Sequence, residues 1–105
     1  MKTKKEYIKK WCELALAKTK NINYNANSSY GLKHYCEDAI GTYVSNDEII
    51  EVMKELGFIT TNSKHINYHY NISKVVNRVI FSEKLANTYY DKYRAFSYNY
   101  KTIKL

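Results

Sequence analysis

Two helix signatures separated by a short turn constrain this chain more than any other feature. Residues 28–58 read SSYGLKHYCEDAIGTYVSNDEIIEVMKELGF, and each half carries its own start and stop. The first half opens near Ser29 and places Leu32, Tyr35 or Cys36, Ala39 and Ile40 along one helical face; Gly41 ends it. The second opens on Ser45 with Glu48 three residues later. This is a capping box, in which each side chain satisfies the other residue's backbone N–H. Ile49, Ile50, Met53 and Leu56 mark the inward face of that helix, and Gly57 closes it. The pair reads as a helix-turn-helix.

The flanks suggest what packs around it. Residues 4–19 carry Tyr7, Ile8, Trp11, Leu14 and Ala15 at helical spacing, with lysines over much of the rest, which predicts an amphipathic first helix anchored by Trp11. Residues 21–27, NINYNAN, form a polar connector whose asparagines favour turns. After Phe58 the period switches from helical to alternating. Ile66, Tyr68, Tyr70 and Ile72 share one face, with His65, Asn67, His69 and Asn71 on the other, which predicts a strand. Phe58 to Thr61 can pair with it across Thr61-Asn62-Ser63-Lys64 as a hairpin. Ser73 is expected to cap a further helix that buries Val75, Val76, Val79 and Ile80 and resumes through Leu85, Tyr89 and Tyr93. From Phe96 the pattern alternates through Tyr98 and Tyr100, as in a short final strand or an extended tail. The expected architecture is one mainly α domain over residues 1–105 with a β-hairpin, winged helix-turn-helix-like.

Length and charge limit what such a domain can do. A chain of 105 residues holds one modest core and leaves no room for a deep catalytic cleft plus a cofactor fold. Lys and Arg outnumber Asp and Glu by 17 to 10, and the net charge of +7 points to a polyanionic partner, nucleic acid before an anionic membrane. No apolar run approaches the roughly 18 residues of a membrane span, and the Lys-rich start lacks a signal peptide's apolar core, so a cytoplasmic protein is expected. Cys12 and Cys36 stand 24 positions apart in no CxxC arrangement and read as small buried residues.

The charge is uneven. Residues 1–20 carry +5 and residues 74–105 another +5, while residues 21–73 carry −3. The third helix would enter the groove in a duplex-reading helix-turn-helix, yet it bears Asp47, Glu48, Glu51 and Glu55 against Lys54 alone. Carboxylates repel phosphates at short range, so this helix is a poor reader of duplex DNA.

Nucleic-acid contacts are therefore sought elsewhere. The second helix start offers the hydroxyls of Ser28 and Ser29, close backbone access at Gly31, and Lys33 and His34, a combination suited to phosphate oxygens. The competing reading is a serine N-cap, with Gly31 letting an aromatic ring pack on the backbone. The hairpin adds Lys64 and His65, and the C-terminal third adds Arg78, Lys92 and Arg94. Residues 89–101 interleave six aromatics with three cations; Tyr89, Tyr93 and Phe96 can close the core. Tyr90, Phe96, Tyr98 and Tyr100 are the candidates for stacking on bases or filling pockets on a protein partner.

Zinc and catalysis both fare poorly. His65 and His69, alternating strand residues four apart, lie roughly 13 Å from each other, too far to share one ion, and His34 with Cys36 has no second ligand pair. Three glycines provide no GxGxxG and no P-loop, and no Ser or Cys comes with a His and carboxylate set. Neither a cofactor, a metal nor a catalytic residue is expected.

The strings SSYGLKHYCE and YVSNDEIIEVMKELGF, a YGLKH helix start followed by a Y-x-S-N helix start ending in G-F, carry a resemblance. Through them the chain resembles a family of short proteins of phages and integrative elements of low-GC Gram-positive bacteria, including those that staphylococcal cassette elements encode between an A-family DNA polymerase and a helicase. The match covers residues 28–58, roughly a third of the chain. It implies a non-catalytic accessory subunit that binds the A-family DNA polymerase and single-stranded DNA and lets chains start without a primer, with no small-molecule substrate of its own. The alternative is an inhibitor such as an anti-CRISPR protein, or a winged-helix transcriptional regulator.

Overall fold

Residues 2–60, 67–86 and 101–104 are described by a computed structural model. Three helices come first: α1 (Lys4–Ala15), α2 (Ser29–Ile40) and α3 (Asn46–Glu55). Two short strands follow, β1 (Val79–Phe81) and β2 (Lys101–Ile103), paired in parallel with Val79 opposite Lys101 and Phe81 opposite Ile103. The described residues form a small, mainly helical domain.

The helix boundaries follow local chemistry. Ser45 and Glu48 close the anticipated capping box at the start of α3. Thr3 and Glu6 close a second one at the start of α1, a signature of the same form. Gly41 terminates α2 in the left-handed conformation at φ 82°, and Gly57 follows α3 at φ 80°. Here a side chain's Cβ would crowd the backbone, which is why glycine stands at both ends. α1 stops at Ala15, four residues earlier than its periodicity suggests. The chain beyond it is diverted into pairing: Lys18 bridges Ile72 antiparallel and Ala17 O accepts from Ser73 N–H (2.9 Å).

The core lies where the three helices and β1 meet. Trp11, Ile8 and Cys12 of α1 pack with Leu32, Cys36 and Ile40 of α2 and with Ile49 and Met53 of α3. Tyr7 sets its ring edge-on to Phe81 at 5.0 Å while its hydroxyl donates to Glu83 O (2.8 Å). Both cysteines are free and fully buried, and burial pushes the Cys12 thiol up to about 12.

Two expectations are corrected beyond Phe58. No hairpin strands form among the described residues of the expected wing. Residues 67–73 instead spend their backbone groups on the connector between α1 and α2. Tyr68 pairs with Ser29, Tyr70 O accepts from Asn23 N–H (2.9 Å), and Asn71 O accepts from Thr19 N–H (2.8 Å). Phe58 to Thr60 does run beside this segment, joined mainly through side chains: Asn71 Oδ1 accepts from Ile59 N–H and Thr60 Oγ1 donates to His69 O, both at 2.6 Å. Tyr70 and Ile72 point inward as the alternation predicts, but Asn71 is buried with them. The turn at Thr61 to Lys64, with His65 and Ile66, lies outside the described residues.

Among the described residues the helix expected after Ser73 does not form either. Ser73 Oγ accepts from Val75 N–H, but no helix follows, and Val75 is 69% exposed. Val79 and Phe81 are buried on either side of the half-buried Ile80, which is strand periodicity. The β-branched valines favour that outcome. Leu85 is exposed; Tyr89 and Tyr93 lie outside the described residues.

Candidate nucleic-acid interface

The start of α2 is more committed to the fold than its composition suggests. Ser28 occupies the N-cap position without a side-chain cap bond. Ser29 is fully buried and exchanges two hydrogen bonds with Tyr68: its N–H donates to Tyr68 O (2.7 Å) and its Oγ accepts from Tyr68 N–H (2.9 Å). Gly31 makes room for Asn27 and not for an aromatic ring, since a Cβ there would lie 2.8 Å from Asn27 Oδ1. Lys33 is only 5% exposed and its ammonium reaches Glu37 Oε1 at 2.6 Å. The same carboxylate accepts from Val44 N–H (3.3 Å), and its other oxygen meets His34 Nδ1 at 3.1 Å. A buried ammonium and carboxylate are tolerable because each is paired and hydrogen-bonded.

Burial does not remove Lys33 from the surface field. Its ammonium lies 4.6 Å from the ring centroid of Tyr43 and 5.6 Å from that of Tyr30, and both tyrosines are about half exposed, at 49% and 52%. His34 meets the Tyr30 ring edge-on at 4.6 Å, and Lys4 of α1 lies 5.8 Å from Tyr43. The result is two half-exposed tyrosine rings flanking a fixed cation, with a half-exposed imidazole and a second ammonium beside them. Tyr24, 64% exposed, sits with its ring 5.5 Å from His69.

Sequence reasoning selected the cations here and missed the rings. The available signal was the i, i+4 spacing of Tyr30 and His34 on one helix face. Tyr43, in the turn after Gly41, gave no local sign that it would come within reach of Lys33. Of the other predicted contacts, Arg78 lies apart, its guanidinium 5.1 Å from the ring of Tyr35, the α2 residue next to His34. Lys64, His65, Lys92, Arg94, Tyr90, Phe96, Tyr98 and Tyr100 lie outside the described residues.

The acidic helix has its own partners. Lys4 Nζ reaches Glu48 Oε1 at 2.9 Å, and Lys5 reaches Glu55 at 2.8 Å and Glu51 at 3.8 Å. Partial burial pushes the Glu48 carboxyl up, but hydrogen bonds from the Ser45 backbone and Lys4 outweigh it and hold the group below its usual value. A hydrogen bond from Lys5 lowers Glu55 and raises Lys5 in return. Much of the opposition between the basic start and the acidic middle of the chain is thus resolved inside the domain.

Among the described residues no three His, Cys, Asp or Glu side chains come together to hold a metal ion, and no helix is long and apolar enough to cross a membrane. No family model, no curated protein and no solved structure matches the chain.

Proposed function

We propose that this chain is a non-catalytic accessory module that holds single-stranded nucleic acid, working beside an A-family DNA polymerase in the replication of a mobile element. The observation that carries the nucleic-acid part is the exposed pair Tyr30 and Tyr43 flanking the Lys33 ammonium. Unpaired bases stack on such faces without regard to sequence, and nearby cations follow the backbone. The net charge of +7 supplies the long-range attraction. The polymerase part rests on the resemblance carried by residues 28–58. Duplex reading by α3 is the weaker alternative, because Glu48, Glu51 and Glu55 are engaged by α1 lysines and the helix itself offers Lys54 as its one cation.

Fluorescence anisotropy with a labelled oligo-dT tests the first part. Binding should be saturable, should fall steeply as salt rises through counterion release, and should exceed binding to a duplex of equal length. Tyr30→Ala and Tyr43→Ala should each weaken it by about 1–3 kcal/mol, the range for one stacked base. Preference for duplex, or indifference to both substitutions, would refute the reading. Copurification with the polymerase tests the second part separately.

A further inference from the structure

His34 brings to the tyrosine pair a kind of side chain whose charge ordinarily changes between about pH 5 and 8. Its surroundings decide which ring nitrogen does the changing. Nδ1 lies 3.1 Å from Glu37 Oε2, while the other oxygen of that carboxylate holds Lys33 at 2.6 Å. An ionised carboxylate only accepts, so in the neutral ring Nδ1 carries the proton and donates, and Nε2 is left with a lone pair. The side chain is 45% exposed, and its edge-on contact with the Tyr30 ring at 4.6 Å holds it beside the stacking surface.

Charges of both signs act on this ring. Glu37 favours the doubly protonated form, and Asp38, one helical turn beyond His34, adds a second carboxylate on α2. Lys33 opposes it from the same helix, Lys4 of α1 brings a second ammonium over the Tyr43 ring, and Arg78 stands against Tyr35, the next residue of α2. Lys33 and Lys4 are themselves engaged by Glu37 and Glu48. The half-exposed imidazole is thus the group here that can add a new donor. A neutral ring turns a lone pair toward phosphate oxygens, whereas the imidazolium gives them a charge-assisted hydrogen bond.

We propose that the Tyr30, Lys33 and Tyr43 site takes up a proton from solvent when it holds a single strand: Nε2 of His34, once protonated, donates to a backbone phosphate while Nδ1 stays on Glu37. This rests on the single-strand reading of the site and adds its regulation. Linkage is reciprocal, so the factor by which the strand strengthens proton binding equals the factor by which the proton strengthens strand binding. Affinity therefore rises as pH falls and levels off once the ring is fully charged.

Anisotropy with labelled oligo-dT, whose bases do not protonate in this range, is measured from about pH 8 to 5.5 on the full chain and on His34→Gln. The unsubstituted chain should bind about tenfold more tightly at the acid end, the effect of one hydrogen bond to a charged group. His34→Gln, whose amide can still donate to Glu37, should lose most of that gain. Near pH 5.5 the log–log salt dependence of the unsubstituted chain should be steeper than that of the variant by about 0.7, one further phosphate contact on a single strand. By NMR, the His34 ring should titrate at a pH about one unit higher when oligo-dT is saturating, the counterpart of a tenfold coupling. Affinity that ignores pH, a pH dependence that survives undiminished in His34→Gln, or a ring titration indifferent to the strand overturns the proposal while strand binding itself stands. Absence of binding at every pH overturns both this proposal and the single-strand reading. The ring titration needs no substitution, so it decides the matter if His34→Gln does not fold.

Discussion

Gly41 and Gly57 share a left-handed backbone, at φ 82° and 80°, but only one of them is walled in. A Cβ on Gly41 would stand 1.9 Å from Ala86 O, and the chain there is held by Leu85 N–H donating to Ile40 O (2.9 Å). At Gly57 the nearest atom would be Lys18 Nζ at 3.6 Å, an ordinary contact. Gly57→Ala should therefore cost only the conformational term of about 1–2 kcal/mol. Gly41→Ala should cost that plus the displacement of residues 85 and 86, roughly 3 kcal/mol or more in total. Urea unfolding of both variants checks the ordering; equal losses would mean that the approach of Ala86 to Gly41 contributes nothing. The terminators of α2 and α3 are legible in the sequence as glycines, whereas the neighbour that makes one of them irreplaceable is not.

At the scale of elements, one asparagine joins three segments. Asn71 Oδ1 accepts from Ile59 N–H (2.6 Å), its Nδ2 donates to Thr19 O (3.0 Å), and its own backbone bonds both residues again. Its side chain thus replaces the regular ladder that a hairpin would have supplied. Asn71→Ala leaves Ile59 N–H and Thr19 O without these partners, and stranding part-buried polar groups costs about 1–3 kcal/mol each. The variant should lose roughly 2–4 kcal/mol, with faster hydrogen exchange at the Thr19 and Ile59 amides. A loss below about 0.5 kcal/mol would place the tie elsewhere. Among the described residues of the alternating pattern, Tyr70 and Ile72 lie inward as it predicts. It says nothing about which strand of chain completes the hydrogen bonds.

For the whole molecule, the decisive quantity is where the charges go once the helices pack. α1 and α3 meet with Lys4 against Glu48 and Lys5 against Glu55, so these N-terminal lysines neutralise the acidic helix before they meet any partner. Glu48 titrates below its unfolded value, so its contribution to stability is present above the ordinary carboxylate pKa of 4.5 and is lost as pH falls through the lower folded value. Glu48→Gln keeps an acceptor in the capping box and removes the charge. The variant should start from lower stability at neutral pH and lose less on acidification. Urea midpoints measured from pH 7 down to about 3 would show a shallower acid limb, and an unchanged limb would exclude Glu48 as its source.

The sequence by itself determined α2 and α3. The Ser45–Glu48 capping box, the terminating glycines and the 3.6-residue spacing of Leu32, Cys36, Ile40, Ile49 and Met53 are local rules, satisfied within one or two turns of chain. Only the tertiary structure decided the rest. Extended segments need hydrogen-bond partners from elsewhere, and no local pattern names Ser29 for Tyr68, Asn23 for Tyr70, or Lys101 to Ile103 for Val79 to Phe81. The same holds for the candidate interface. Lys33 reads as a free cation until Glu37 buries it, and Tyr30 and Tyr43 become a pair only when the turn after Gly41 carries Tyr43 to within 4.6 Å of the Lys33 ammonium. Helix propensity acts over a few residues, whereas burial and ring exposure are properties of distant segments brought together.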